Sequence, residues 1–165
     1  MKLNSFRVLA PAIALGLLLS GCGGGSDDPE PTPISASLNV TAATSAALAG
    51  VYSSPTVNLA AVEKINPIGG EPEVCSFKFS GLQKAGGGTM SGDIRYIPGS
   101  TALRVIFVSI DGLEFVSRDA TNAAVDKPNN EVDVTGKLLT SSAGVASTFT
   151  VSGSVPMRGN RPEGC

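Results

Sequence analysis

Residues 103–118 read LRVIFVSIDGLEFVSR. Two β-branched and aromatic runs flank Asp111-Gly112, and Asp-Gly between such runs is the strongest short-range hairpin signal. The two-residue loop needs positive φ at both central positions, which aspartate tolerates and glycine adopts freely. The stretch therefore predicts antiparallel strands over 103–110 and 113–118. The first is the most continuous apolar run of the region and takes a central place.

The alternation continues on both sides. Upstream, Pro98-Gly99 makes a tight turn. Residues 89–97 put Met90, Ile94 and Tyr96 on one face and Ser91, Asp93 and Arg95 on the other. A Gly-rich turn over 84–88 leads back to 74–80, where Cys75, Phe77 and Phe79 alternate with Ser76 and Lys78. Downstream, 119–130 is a polar loop. Strands at 132–140 and 145–155 follow, joined by a turn at 141–144, with Gly136 and Gly153 as bulges or points of close approach. At the other end, Ile34, Ala36, Leu38 and Val40 alternate with Ser35, Ser37 and Asn39, the pattern of a half-buried strand. Residues 41–49 are Ala-rich and read either as a short helix ending at Gly50 or as more strand. Residues 51–52 and 57–65 fit both periods, and Asn66-Pro67 with Gly69-Gly70 ends them. The expected fold is all-β, an antiparallel meander of seven or eight strands closed into a small barrel or folded into a sandwich, with at most one short N-terminal helix. Spacing does not separate barrel from sandwich. Six Phe and no Trp predict a core of Val, Leu, Ile and Ala, with Tyr52 and Tyr96 at its edge.

The N-terminal segment obeys different rules. Lys2 and Arg7 precede an apolar run over 8–19 that is too short to span a bilayer. Leu19-Ser20-Gly21-Cys22 then precedes GGGSDDPEPTP. This order resembles the signal peptide and lipobox of bacterial lipoproteins. The resemblance covers residues 1–22 and implies cleavage after Gly21, with acyl chains such as palmitate on Cys22. Two or more chains hold a protein firmly to a membrane, at about 0.8 kcal/mol per buried methylene. Gly23 stands where an Asp would retain a Gram-negative lipoprotein in the inner membrane, which implies an outer-membrane, periplasm-facing location. Residues 22–33 then read as lipidated Cys and flexible tether, reaching on the order of 20 Å, and 34–165 as a single β-rich domain.

With Cys22 lipidated, Cys75 and Cys165 remain, an even number in an oxidising compartment. A disulfide between them closes a loop of about 90 residues and stabilises by roughly 4–5 kcal/mol in the chain-entropy model. Two free thiols, or an intermolecular bridge through Cys165, are the alternatives. Removing Lys2 and Arg7 from 12 basic residues leaves 10 against 14 acidic, a net charge of −4. With no basic run, this argues against nucleic acid as a partner. The chain has no His. That excludes Ser-His and Cys-His dyads, imidazole metal ligands and His proton shuttles.

The polar residues weigh as follows. Asp126, Asn129, Asn130, Glu131 and Asp133 offer clustered oxygens of the kind Ca²⁺ takes, but lack the EF-hand order and read first as a solvated loop. Asp93, Arg95, Arg104, Glu114 and Arg118 read as cross-strand ion pairs or, more sharply, as a binding face. Gly86-Gly87-Gly88-Thr89 lacks the Lys-Ser/Thr of a phosphate loop. Asn39-Val40-Thr41 matches a glycosylation sequon, usually a chance match in the bacterial setting that the lipobox implies, and no Gly-x-Ser-x-Gly elbow occurs. The functional expectation is a membrane-anchored, non-catalytic binding or structural module of the bacterial envelope, with no cofactor, engaging another envelope protein or a polymer. The alternative is a lipocalin-like carrier of a small apolar ligand, for which Ala and Gly in the core leave room. An enzyme would rest on carboxylates such as Asp93, Asp111 and Glu114. Cys22→Ser is expected to abolish incorporation of an alkyne-palmitate label and to release the protein from the membrane fraction; undiminished labelling would refute the assignment of Cys22.

Overall fold

The computed structural model describes residues 34–67, 69–143 and 146–165. The signal, lipidation and tether expectations for residues 1–33 lie outside the described residues.

The described residues contain eleven strands: β1 (Ala36–Thr41), β2 (Gly50–Ser54), β3 (Asn58–Leu59), β4 (Glu63–Ile65), β5 (Val74–Lys84), β6 (Thr89–Tyr96), β7 (Leu103–Ile110), β8 (Leu113–Ser117), β9 (Ala123–Asp126), β10 (Glu131–Ser141) and β11 (Thr148–Pro156). Eight form a ring in the order β1-β2-β5-β6-β7-β8-β10-β11, and β11 returns to β1. All pairings in the ring are antiparallel. The closing ladder sets Ser37 against Ser154 and Thr41 against Thr150. That ladder makes the domain a closed barrel. The remaining strands extend two staves. β3 and β4 run on along β5 past the end of β2, and β9 runs on along β10 past β8. β9 lies inside the loop expected over 119–130, because four residues are too few to show alternation. No helix among the described residues is long and apolar enough to cross a membrane.

The hairpin at 111–112 forms as expected, with φ of 51° at Asp111 and 83° at Gly112. The Asp111 carboxylate accepts a hydrogen bond from the Thr89 amide at 2.8 Å, which ties this turn to the start of β6. The helical reading of 41–49 reduces to one 3-10 turn, Ala46–Leu48. So short a segment gains little from helical bonds, and burying Leu48 in the core decides its path.

The interior differs from the aliphatic core expected. Tyr52, Tyr96, Phe77, Phe79, Phe115 and Phe149 are among its largest wholly buried side chains. Phe115 and Phe149 meet edge to face with centroids 4.7 Å apart. The tyrosines lie within the core rather than at its edge, and each hydroxyl has a partner: Tyr52 donates to Leu48 O at 3.0 Å and Tyr96 to Cys165 O at 2.9 Å. Small residues make room for this packing. Phe79 lies across Gly92, where a Cβ would come within 2.5 Å of its ring.

Both barrel ends are covered. Residues 42–49 cross one end, with Leu48 in the core and Lys84 donating to the carbonyls of Ala47 and Ala49. Residues 157–165 cross the other. Met157 and Cys165 are buried there, and Cys165 is bonded to Cys75. Gly99 and Lys127 both donate to Gly164 O, at 2.8 and 2.6 Å.

One buried charge completes the wall. β10 bulges between Val134 and Lys137, opposite the gap between β8 and β9. Lys137, 1% exposed, sends its ammonium to Asp119 O at 2.8 Å, Asp119 Oδ1 at 2.6 Å and Thr121 O at 2.7 Å. All three ammonium donors are thus used, and they fasten a stretch of wall that lacks ladder bonds. The ammonium, then the hydroxyls of Thr121 and Ser117, hold the Asp119 carboxyl well below the usual carboxylate range. A carboxyl whose folded value is depressed contributes stability above its ordinary pKa of about 4 and loses it as pH falls toward the folded value. Lys137→Met is therefore expected to cost about 2 kcal/mol at pH 7, measured by urea unfolding, with the difference shrinking below pH 4. A pH-independent difference would contradict this coupling.

Candidate functional site

The residues marked in the sequence fall into two groups on the barrel surface. The first is acidic. Asp126 and Glu131 face each other across the β9–β10 ladder, and Asp133 follows on the same strand. One carboxylate oxygen from each lies within 4.8 Å of the others. Asn129 and Asn130 do not join them. Asn129 donates to Asp126 Oδ2 at 2.8 Å and so caps the turn. Asn130 accepts from Arg161 Nη1 at 2.7 Å and faces the C-terminal segment. The five oxygen-bearing residues of the sequence reading thus reduce to three carboxylates, one of which, Glu131, also takes a hydrogen bond from Ser154. Ca²⁺ takes six to eight oxygens, so the three fall well short of a shell. Burial, then the charges of Glu131 and Asp126, push the Asp133 carboxyl upward.

The second group lies on the outer wall of β6, β7 and β8. Arg95 reaches back along its own strand to Asp93 at 2.9 Å, and Ser76 donates to the same carboxylate at 3.0 Å. This pairing, above all the hydrogen bond to Asp93, raises the Arg95 pKa further. Arg104 pairs not with Glu114 but with Glu71, at 2.6 Å. Arg104 is the extra residue where β7 slips against β6, and such a bulge re-aims side chains. Phe107 points outward, opposite Asp93 on β6 and Val116 on β8. Its ring lies beneath two guanidiniums, with Arg95 5.3 Å and Arg118 5.7 Å from the centroid.

Two grooves flank this arrangement. One, of about 240 Å³, has Ile65, Pro72, Val74 and Val105 as apolar lining and Arg95, Arg104 and Arg118 as cationic lining. The other, of about 370 Å³, is lined by Lys78, Asp93, Phe107 and Glu114 with several serines. Of the carboxylates weighed for catalysis, Asp93 and Glu114 share the second groove, while Asp111 is used by the hairpin turn. Asp93 is itself held by Arg95 and Ser76.

Phe107 was not singled out by the sequence, because the bulge at Arg104 sets Val105 and Ile106 side by side and hides the alternation. The Glu71 partnership depends on a loop returning over β5, which spacing along the strands does not reveal. Cys75 and Cys165 are joined, the intramolecular option among those open in the sequence. Cys22 lies outside the described residues.

The raised Asp133 value fixes a sign. Its folded form holds a proton above the unfolded value, so the stability it contributes is present at low pH and lost as pH rises through the folded pKa. Asp133→Asn is accordingly expected to raise the melting temperature at pH 7, through relief of up to about 1 kcal/mol of like-charge repulsion. The gain should vanish by pH 3.5, and a lower melting temperature at pH 7 would contradict the account. No protein-family model matches the chain, and neither curated proteins nor solved structures provide a match.

Proposed function

We propose that the protein is a lipid-anchored, non-catalytic binding module of the bacterial outer membrane, facing the periplasm and engaging another envelope protein or a polymer through its outer wall. A small closed β-barrel is compatible with either a binding or a carrier module. The observation that carries the choice is the interior. Tyr52, Phe77, Phe79, Tyr96, Phe115 and Phe149 occupy the space a lipocalin-like carrier would give its ligand, and segments 42–49 and 157–165 cover the two ends.

Recognition then belongs outside. The wall over β6–β8 supplies two grooves, an outward aromatic ring and guanidiniums fixed in place. Aromatic and arginine side chains are the types that dominate binding energy at interfaces. A lipid on Cys22 and a tether of about a dozen residues would hold this wall within reach of membrane-associated partners. The absence of His from the sequence and the commitment of Asp93 and Asp111 to neighbouring groups support a role without catalysis.

A photoreactive amino acid tests the reading in living cells. Placed at Glu114, it lies in the second groove; placed at Asn39 on β1, it lies three staves away around the ring. A discrete crosslinked adduct is expected from position 114 and none from position 39. Adducts from neither position, or equally from both, would overturn the assignment of the binding face.

A further inference from the structure

Three of the five arginines beyond residue 22 converge on the 240 Å³ groove of a chain that is otherwise net acidic. They come from separate parts of the wall, Arg95 on β6, Arg104 on β7 and Arg118 just past β8. They share the lining with the buried Val74 and Val105, 8% and 4% exposed, and with the half-buried Ile65 and the exposed Pro72. An apolar strip edged by guanidiniums is an unusual expense of cationic side chains on a surface where solvated lysines would serve solubility equally well.

The three arginines differ in what they already hold. Arg95 is bound by Asp93, which Ser76 fixes in turn. Arg104 holds Glu71, a side chain 66% exposed on a loop that turns at Gly69 and Gly70. This pair shows a carboxylate seated at the groove by the chain itself. Arg118 has no carboxylate partner among the described residues and lies over the Phe107 ring. A cation–π contact draws on the guanidinium's charge and uses none of its N–H donors, two of which a carboxylate can take.

We infer that this groove is a carboxylate-recognition site that receives an acidic, partly apolar peptide segment of a partner protein. The inference rests on the outer-wall reading above and names its ligand chemistry. One carboxylate of the segment pairs with Arg118. A second replaces Glu71 on Arg104, whose exposure makes the exchange inexpensive. An aliphatic side chain between them covers Ile65 and Pro72, above the buried Val74 and Val105. A free inorganic anion satisfies the charge but leaves Ile65 and Pro72, the part of the apolar lining still open to solvent, in water, so the two kinds of lining together favour a peptide.

The test uses the full-length mature protein in detergent micelles, with the arginine Nε–Hε signals followed by NMR. The probe is the peptide acetyl-ESVSE-amide, which when extended puts two glutamates and a central valine on one face. Its control is acetyl-QSVSQ-amide, and sodium phosphate is a third arm. Saturable shifts of the Arg104 and Arg118 signals are expected with the acidic peptide at millimolar concentration, and none with the glutamine peptide. Arg118→Gln should weaken binding at least tenfold, with Arg118→Lys intermediate. Glu71→Gln should strengthen it severalfold by freeing Arg104, a gain that a purely structural ion pair would not give. The proposal is overturned if the two peptides bind alike, if neither saturates, if Arg118→Gln has no effect, or if phosphate binds the same arginines as tightly as the peptide. Should the peptide fail while the crosslink at position 114 still forms, the outer-wall reading stands and only the ligand chemistry falls.

Discussion

The pairing of the first strand with the last is the constraint on which the structure depends. Without the ladder from Ser37–Ser154 to Thr41–Thr150, the meander is an open sheet with two exposed edges, a template for aggregation. Closing it takes local accommodation. Gly153 lets the two backbones approach so closely that a Cβ there would come within 2.3 Å of Ser37 O. Bulges at 80–81 in β5 and 135–136 in β10 bend the long strands, with Gly81 and Gly136 at positive φ. Lys137 then secures the wall where β8 and β9 part.

Closure also decides where function can lie. Eight strands enclose an interior just wide enough for side chains to fill, and here aromatic residues fill it. The end segments, one held by Lys84 and the other by the Cys75–Cys165 bond, complete the enclosure. The proposed recognition is accordingly assigned to the outside. There Phe107, which an ordinary sheet would leave as an isolated exposed ring, lies beneath the guanidiniums of Arg95, which Asp93 holds, and of Arg118.

Much of this architecture was legible in the amino-acid sequence. Residues 103–110 are β7 without adjustment, and the Asp111-Gly112 turn appears where its chemistry demands. The faces assigned to β6 hold, with Met90, Ile94 and Tyr96 buried and Asp93 and Arg95 outside. The losses have physical causes. Barrel and sandwich share a strand pattern, and only the long-range β1–β11 ladder tells them apart. The size of the core residues was misjudged from a count of Phe, because composition does not say that nearly all the aromatic residues face one way. The burial of Lys137 contradicts its type, and it is possible only because three acceptors from a distant loop meet its ammonium. The acidic cluster was half readable: proximity along the chain brought three carboxylates together, while turn geometry took Asn129 and Asn130 elsewhere.

The barrel is filled by its own side chains, which leaves its wall as the proposed binding surface. Native mass spectrometry of the protein extracted gently from membranes tests it most directly. The predicted mass is that of the covalent protein, with the proposed acyl groups where present, and no non-covalently held small molecule. A stoichiometric, non-covalently held apolar compound, released only on unfolding, would contradict the account.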